Sequence, residues 1–394
     1  MARTRIGVDV GSTAVRVAEV AAGDIPVVVR AAQVPLPPGV VEAGEVRQPE
    51  AVAEALRELW SKSGVKSKQV HLGVGNQRVV VREVALPWLP EKELRDTLGF
   101  QVQEFIPMAS DEAVLDFDPL GEMDQGGRRM VRILLVAAHK PMVNALVEAA
   151  LAAKLDPQGI DLTPFAVIRA VGTGDEGLDL DSSGDEAIVD IGAQVTSICV
   201  HDRGVTRFVR MLPSGGRDIT LALASGLSVD EDVAERLKRG EPIEAPTQVE
   251  PSAGEPAIEL PPPADSLPAD GPPVDTLPVE APRGVPAALP DATEVRQLAL
   301  TRAGSFVDEV RSSLEFYTAQ MPNAQIGRVL VVGGGSRLDG LLELLQERLP
   351  VPVDRGRLFE RAKSEIELSA EASAEAEAVL SVAVGLAIPA RRNA

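Results

Sequence analysis

The chain has 394 residues, 45% of them apolar, and 59 Asp and Glu against 39 Lys and Arg give a formal net charge of −20. Its length and apolar fraction suit two or three packed domains, and the negative charge excludes unaided attraction to nucleic acid or to anionic lipid. The single cysteine, Cys199 in the apolar run Ser197-Ile198-Cys199-Val200, excludes a disulfide framework and a cysteine metal site. His71, His139 and His201 lie far apart without ligand spacing.

From Arg5 to Val20 the pattern predicts a strand, a turn at Gly11-Ser12, and a second strand with alternating Val15, Val17 and Val20. This opening lacks the apolar core of about 7–15 residues that a secretion signal needs. No later apolar run approaches the roughly 20 residues that span a bilayer. A soluble chain that stays inside the cell is therefore expected.

A third strand is predicted over Ile25–Leu36, then an amphipathic helix over Pro49–Ser63 with Val52, Leu56 and Leu59 on one face. Val70–Leu86 reads as β, Glu91–Ile106 as helix, Arg128–Ala138 as strand and Met142–Leu155 as helix. That alternation predicts a layered α/β fold. An acidic, Gly-rich connector, Gly172–Asp185, marks a boundary between two large domains before a strand at Ala187–Ile191. Between Glu241 and Pro290 prolines fall every few residues, aromatics vanish and Arg283 is the only base. Such a segment cannot bury enough apolar surface to offset its chain entropy, so a disordered acidic insertion is expected, acting as a spacer or as a docking segment. A long helix over Thr293–Met321 follows, with Val295, Leu298, Phe306, Val310, Leu314 and Tyr317 on one stripe.

Four segments carry candidate chemistry. In Ile6-Gly7-Val8-Asp9-Val10-Gly11-Ser12-Thr13 a carboxylate ends a buried strand, and a glycine turn leaves N–H groups and hydroxyls free for a phosphate. The segment Ala187-Ile188-Val189-Asp190-Ile191-Gly192-Ala193-Gln194-Val195-Thr196 repeats that design. Two such hairpins facing each other would grip a triphosphate, with Asp9 and Asp190 holding the water shell of Mg²⁺. The strand Val329–Val332 runs into Gly333, Gly334 and Gly335 and then a helix from Leu338 to Leu349, where backbone can approach a base or phosphate closely. On a short helix after Ser228, Glu235 would accept hydrogen bonds from ribose hydroxyls, with Lys238 near the base or sugar. Singly, each segment is also an ordinary turn or helix.

Their order resembles the actin, sugar-kinase and heat-shock chaperone superfamily. Within it the chain resembles the PilM family of type IV pilus assembly proteins. The resemblance rests on Ile6–Val20, Leu36-Pro37-Pro38-Gly39-Val40, Glu104-Phe105-Ile106-Pro107, Val131–Ala138, Gly215-Gly216-Arg217-Asp218-Ile219-Thr220 and Arg311-Ser312-Ser313-Leu314-Glu315-Phe316-Tyr317. It implies an α/β, actin-like two-lobed fold of duplicated ribonuclease H-like domains. Residues 1–175 would form the first lobe, with a small α+β subdomain inserted at about 77–155; residues 176–390 would form the second, interrupted by 241–290. The implied cofactors are ATP and Mg²⁺, bound by Asp9, Gly11, Ser12, Thr13, Asp190, Gly192, Thr196, Glu235, Lys238, Gly333, Gly334 and Gly335.

The implied partners are the N-terminal cytoplasmic tail of a PilN-like inner-membrane protein and other pilus assembly proteins. The chain would then sit at the inner face of the membrane through a partner. The run Val79–Val84 offers a strand edge for such a tail through Val79 and Val81. Trp88 reads as a packing anchor or as a further contact. The pattern departs in two respects. Thr163 stands where a Glu before the proline is common, so hydrolysis slow or absent is expected, with Asp161 and Thr163 as the weak catalytic candidates. The Pro-rich insertion occupies the place of a structured subdomain in actin-like filament formers, which argues against filament formation by the actin route. A small-molecule kinase of the superfamily and an FtsA-like division protein are the rival readings.

Overall fold

The computed structural model describes residues 4–173, 184–241, 291–321 and 324–390. The Pro-rich insertion, from residue 242 on, and most of the acidic connector lie outside the described residues. Two compact units divide the chain, Met1–Ile219 with Leu300–Ala394, and Thr220–Ala299.

The chain opens with three strands, β1 (Thr4–Val10), β2 (Ala14–Ala21) and β3 (Val27–Pro35). A small hairpin follows, β4 (Val41–Glu42) and β5 (Glu45–Val46), and then α1 (Pro49–Ser63). Helix α1 starts on Pro49, whose missing N–H costs nothing in the first turn, and it buries Val52, Leu56 and Leu59. Next come β6 (Gln69–Val74), β7 (Val79–Pro87), α2 (Glu91–Gln101), β8 (Ala113–Gln125), β9 (Arg128–His139), α3 (Lys140–Ala152), β10 (Asp156–Leu162) and α4 (Thr163–Val171). The remaining strands are β11 (Asp185–Ile191), β12 (Thr196–Asp202), β13 (Val205–Leu212), β14 (Ile326–Val332), β15 (Val353–Arg355) and β16 (Lys363–Ser364). Among these lie helices α5 (Gly216–Leu227), α6 (Glu231–Lys238), α7 (Ala292–Gln320), α8 (Leu341–Arg348), α9 (Leu358–Arg361), α10 (Ala370–Val379) and α11 (Ser381–Ala387).

Two sheets repeat one topology. The first has the order β10-β6-β1-β2-β3-β16 and the second β13-β12-β11-β14-β15. In each, a leading antiparallel meander continues sideways into parallel strands: β1 pairs antiparallel with β2 and parallel with β6, as β11 does with β12 and β14. The small sheet β7-β9-β8 is inserted between β6 and α3. One of its faces carries Val84, Leu86, Ile133 and Leu135 under Leu94 and Leu98 of α2; its other face turns Val79, Val81 and Val136 toward the core of the first sheet.

That core gathers Ile6, Leu56, Leu59 and Leu72, each at most 2% exposed, and burying one such side chain stabilises by about 1.5–3 kcal/mol. The second core joins α4 and α11 with Ile188, Leu330 and Val332.

Two elements differ from the sequence reading, and others had none. The helix expected over Glu91–Ile106 ends at Gln101 and gives way to a single 3-10 turn, Gln103–Phe105. The triple glycine leads into another 3-10 turn, Gly334–Arg337, and the helix after it starts only at Leu341, because Leu338 is extended and Gly340 left-handed. Strand β8 and helices α10 and α11 had no reading. Strand β8 is mostly exposed and rich in acids, so it shows little apolar alternation. Helix α11 is only seven residues and is buried all round, which leaves no amphipathic period.

Candidate functional site

Asp9, near the end of β1, pairs across the hairpin with Arg16, whose Nη1 lies 3.2 Å from its Oδ2. Burial raises the carboxyl of Asp9 above its ordinary value, and Arg16 counteracts that. Asp190 occupies the equivalent position on β11 and is pushed up to about 7, first by burial and then by the charge of Asp9. The two strands belong to different sheets, yet their carboxylates act on one another. Arg16 was missed in the sequence, although its register opposite Asp9 follows from the tight turn.

The turn after β1 is closed by the Gly11 N–H donating to the Ala14 carbonyl at 3.0 Å. Ser12 is half-buried and Thr13 exposed, and neither hydroxyl has a hydrogen bond among the described residues. After β11 the Gly192 N–H donates to the Val195 carbonyl at 3.0 Å in the same way. Thr196 is fully buried and donates to the Ser214 carbonyl at 2.8 Å, which ties that turn to the start of α5. The Gly216 and Arg217 N–H groups donate to the Gly192 and Ala193 carbonyls at 2.9 and 2.8 Å, while Asp218 accepts from the Gly215 N–H at 2.8 Å. The Gly-Gly-x-Asp spacing was the signal for this docking, and it had been read only as a point of resemblance.

Gly333 follows β14, which runs parallel to β11 with Val332 opposite Asp190. It has φ +86, and a Cβ there would collide with Asp190 Oδ1 and the Ile191 carbonyl. Only glycine fits that conformation and that space. Gly335 packs on Ile191, and Ser336 Oγ donates to the Gly333 carbonyl at 2.7 Å. Asp190 and the Gly333–Gly335 turn thus lie at neighbouring strand ends, where α/β sheets bind ligands, and the charge of Asp9 acts on Asp190.

Glu235 and Lys238 belong to the other compact unit, Thr220–Ala299. There Glu235 accepts from Lys238 Nζ at 2.6 Å and from the Thr220 hydroxyl. Burial raises the carboxyl of Glu235, but these hydrogen bonds outweigh it and hold the group below its ordinary value.

Asp161, at the end of β10, is engaged through both oxygens: Oδ1 accepts from the Leu162 N–H at 2.7 Å and Oδ2 from Arg169. Arg169 also donates to the Gly385 carbonyl at 3.1 Å, so this carboxylate helps tie α4 to α11. Thr163 begins α4 and presses on Gly75.

Val79 is buried and Val81 half-buried, both on the face of β7 opposite α2. Strand β7 is an edge of its sheet. Trp88 lies nine residues from Val79, about 30 Å along an extended chain. Its indole donates to Glu122 at 2.9 Å, and the Arg129 guanidinium stacks 3.9 Å from the ring centroid.

The donor set suits a magnesium ion held through water. Two buried carboxylates act on one another, and among the described residues Arg16 is the cation that acts on both. Among the described residues no helix is long and apolar enough to cross a membrane.

The repeated meander and the paired strand ends define an actin-like protein. The chain belongs to the PilM family of type IV pilus assembly proteins: the family model matches residues 7–251, more than half of its length. A model of the cell division protein FtsA also matches residues 187–378. Among solved structures, the chain is similar to one in a PilM-PilN type IV pilus biogenesis complex, with a TM-score of 0.74 and 25% identity over 97% of both chains. It shares its fold with the ethanolamine utilization protein EutJ from Carboxydothermus hydrogenoformans, at a TM-score of 0.53 and 16% identity over 98% of this chain and 90% of that one. The cell division protein FtsA of Bacillus subtilis (strain 168) is 27% identical over 175 residues, 44% of this chain and only 37% of that relative.

Proposed function

We propose that this chain is an ATP-binding adaptor of type IV pilus assembly that holds the N-terminal cytoplasmic tail of a PilN-like inner-membrane protein. The observation that carries the nucleotide reading is the convergence of Asp9 and Asp190, with Asp190 at about 7. A bound Mg²⁺ would add positive charge beyond that of Arg16, which among the described residues alone faces the two acids. The turns at Gly11–Thr13 and Gly192–Thr196 would contact the phosphates, and Gly333–Gly335 the adenosine.

The nucleotide acts here as a structural ligand more than as a substrate. Asp161 is committed to Arg169, and Thr163 is a weak base at neutral pH. The tail reading is supported by the PilM-PilN complex among the similar structures and by the position of β7 at the edge of its sheet. The adaptor would be peripheral to the membrane, reaching it through that partner and working beside other pilus assembly proteins. Two lobes meeting near residue 175, with the subdomain at 77–155 inserted in the first, fit this role.

The test is calorimetric titration of the purified chain with Mg·ATP, and separately with a synthetic peptide of the PilN-like tail. Wild type is expected to bind both, and Asp190→Ala is expected to lose at least tenfold in ATP affinity with an unchanged circular dichroism spectrum. Equal ATP affinity in the two proteins would remove the nucleotide reading.

A further inference from the structure

The turn that follows β11 does more than line the candidate nucleotide site, because one of its side chains reaches the first half of the chain. Gln194 Oε1 accepts a hydrogen bond from the backbone N–H of Ala43 at 2.7 Å. Ala43 and Gly44 are the two-residue tip of the β4–β5 hairpin, in which Val41 pairs with Val46 and Glu42 with Glu45. Both tip residues have positive φ, 47° and 77°, the geometry that matches the twist of a tight hairpin. The tip is a stiff lever, since a two-residue loop of this kind has little room to relax.

The lever rests on the root of β7. A Cβ on Gly44 would lie 2.6 Å from the Gly75 carbonyl oxygen, so the hairpin sits directly on the segment linking β6 to β7. Glu45, whose side chain is only 12% exposed, is held by Arg78 Nε at 2.9 Å and by Arg47 Nη1 at 3.0 Å. Arg78 in turn precedes β7: its N–H donates to Asn76 Oδ1 at 2.8 Å, and the Val79 N–H donates to the Asn76 carbonyl at 3.1 Å. A contiguous chain of polar contacts therefore runs from the turn after β11 to the first residue of β7.

We infer that Gln194, the Ala43–Gly44 tip, Glu45 and Arg78 form a relay that couples nucleotide occupancy of the turn after β11 to the affinity of β7 for a partner's tail. The inference rests on the reading of these two places as nucleotide and tail sites. The physical requirement is that nucleotide shifts the 192–195 turn and so changes its hold on the hairpin. Glu45 then passes the change to the Asn76–Arg78 turn that aims β7. Gln194, Glu45 and Arg78 are positioning residues in this scheme. Arg47 holds the same carboxylate without touching β7 and is the natural control.

Linkage makes the coupling measurable from either side. The affinity of a synthetic peptide of the PilN-like tail is measured with and without saturating Mg·ATP, in wild type and in Arg78→Ala, Arg78→Lys, Glu45→Gln and Arg47→Ala. Arg78 is half exposed, so its truncation leaves the fold intact. Wild type is expected to show a change of about 5-fold or more on adding nucleotide, within the usual range for coupled sites. Arg78→Ala and Glu45→Gln reduce that ratio to within about 2-fold of unity while each ligand alone still binds; Arg78→Lys restores most of it, and Arg47→Ala keeps it.

Hydrogen exchange of the ligand-free protein reads the first link separately, since Gln194→Leu should speed exchange at the Ala43 amide by about tenfold. An unchanged ratio in Arg78→Ala, a collapse in Arg47→Ala equal to that in Arg78→Ala, or no coupling in a wild type that binds both ligands overturns the relay. Failure of wild type to bind either ligand alone overturns the functional reading instead, and the relay with it.

Discussion

Asp9 stands one residue from the end of β1 and Asp190 one residue from the end of β11, and the charge of Asp9 adds to burial in lifting the carboxyl of Asp190 to about 7. Two β-hairpins about 180 residues apart in the chain therefore bring their acids close enough for one charge to act on the other. Among the described residues one guanidinium, Arg16, faces the two acids, so the arrangement is unfavourable and folding has to offset it elsewhere.

The cost is measurable through pH. The folded-state value of Asp190 lies above its ordinary 3.8, so its favourable contribution is complete below that value and is lost as pH rises through about 7. Asp190→Asn, which cannot ionise, is expected to stabilise the ligand-free protein by about 1–3 kcal/mol at pH 8 and by almost nothing at pH 4. Urea unfolding at the two pH values checks this, and a gain of equal size at both would show that burial of the charge is not its cause.

Gly333→Ala should be among the most damaging single-methyl additions in the protein. The new Cβ meets Asp190 Oδ1 and the Ile191 carbonyl, in a backbone conformation of φ +86 that L-residues rarely adopt. A loss of about 2–4 kcal/mol in unfolding free energy is expected. A loss below about 1 kcal/mol would mean that the glycine turn shifts freely away from β11.

At the opposite end of β11, Glu186 is buried and accepts from the Thr173 N–H and hydroxyl at 2.9 and 3.0 Å, with His201 and Arg328 also on it. Burial raises its carboxyl, but His201 Nε2 at 3.0 Å, the Thr173 hydrogen bonds and the Arg328 charge outweigh it and hold the group at about 2. A lowered carboxyl contributes stability that is present above its ordinary value of 4.5 and is lost as pH falls toward 2. Glu186→Ala is expected to cost about 3 kcal/mol at neutral pH, because it strands buried partners, and to flatten the acid limb of the stability curve.

Trp88 supplies the contrasting case. It is 36% exposed and held by Arg129 and Glu122 at one end of the small sheet. Trp88→Ala should change stability by less than about 1 kcal/mol. Loss of tail-peptide affinity in this variant would make the tryptophan a contact; unchanged affinity would leave it a local anchor.

Elements with strong local signals were readable from the chain before any packing was known. Helix α1 occupies its expected range because Pro49 starts it and an apolar stripe runs along it, and the hairpin at Gly11-Ser12 follows from alternation broken by a turn. Asp9 and Asp190 were legible as equivalent positions, since the same pattern of strand, aspartate and glycine occurs twice. Only the tertiary structure decided that the two acids act on one another, that α11 returns to the first sheet, that Asp161 is taken by Arg169, and that Gln194 reaches Ala43. The physical reason is range: periodicity and turn chemistry act over a few residues, whereas these pairings join segments tens to hundreds of residues apart and exist only once the sheets have packed.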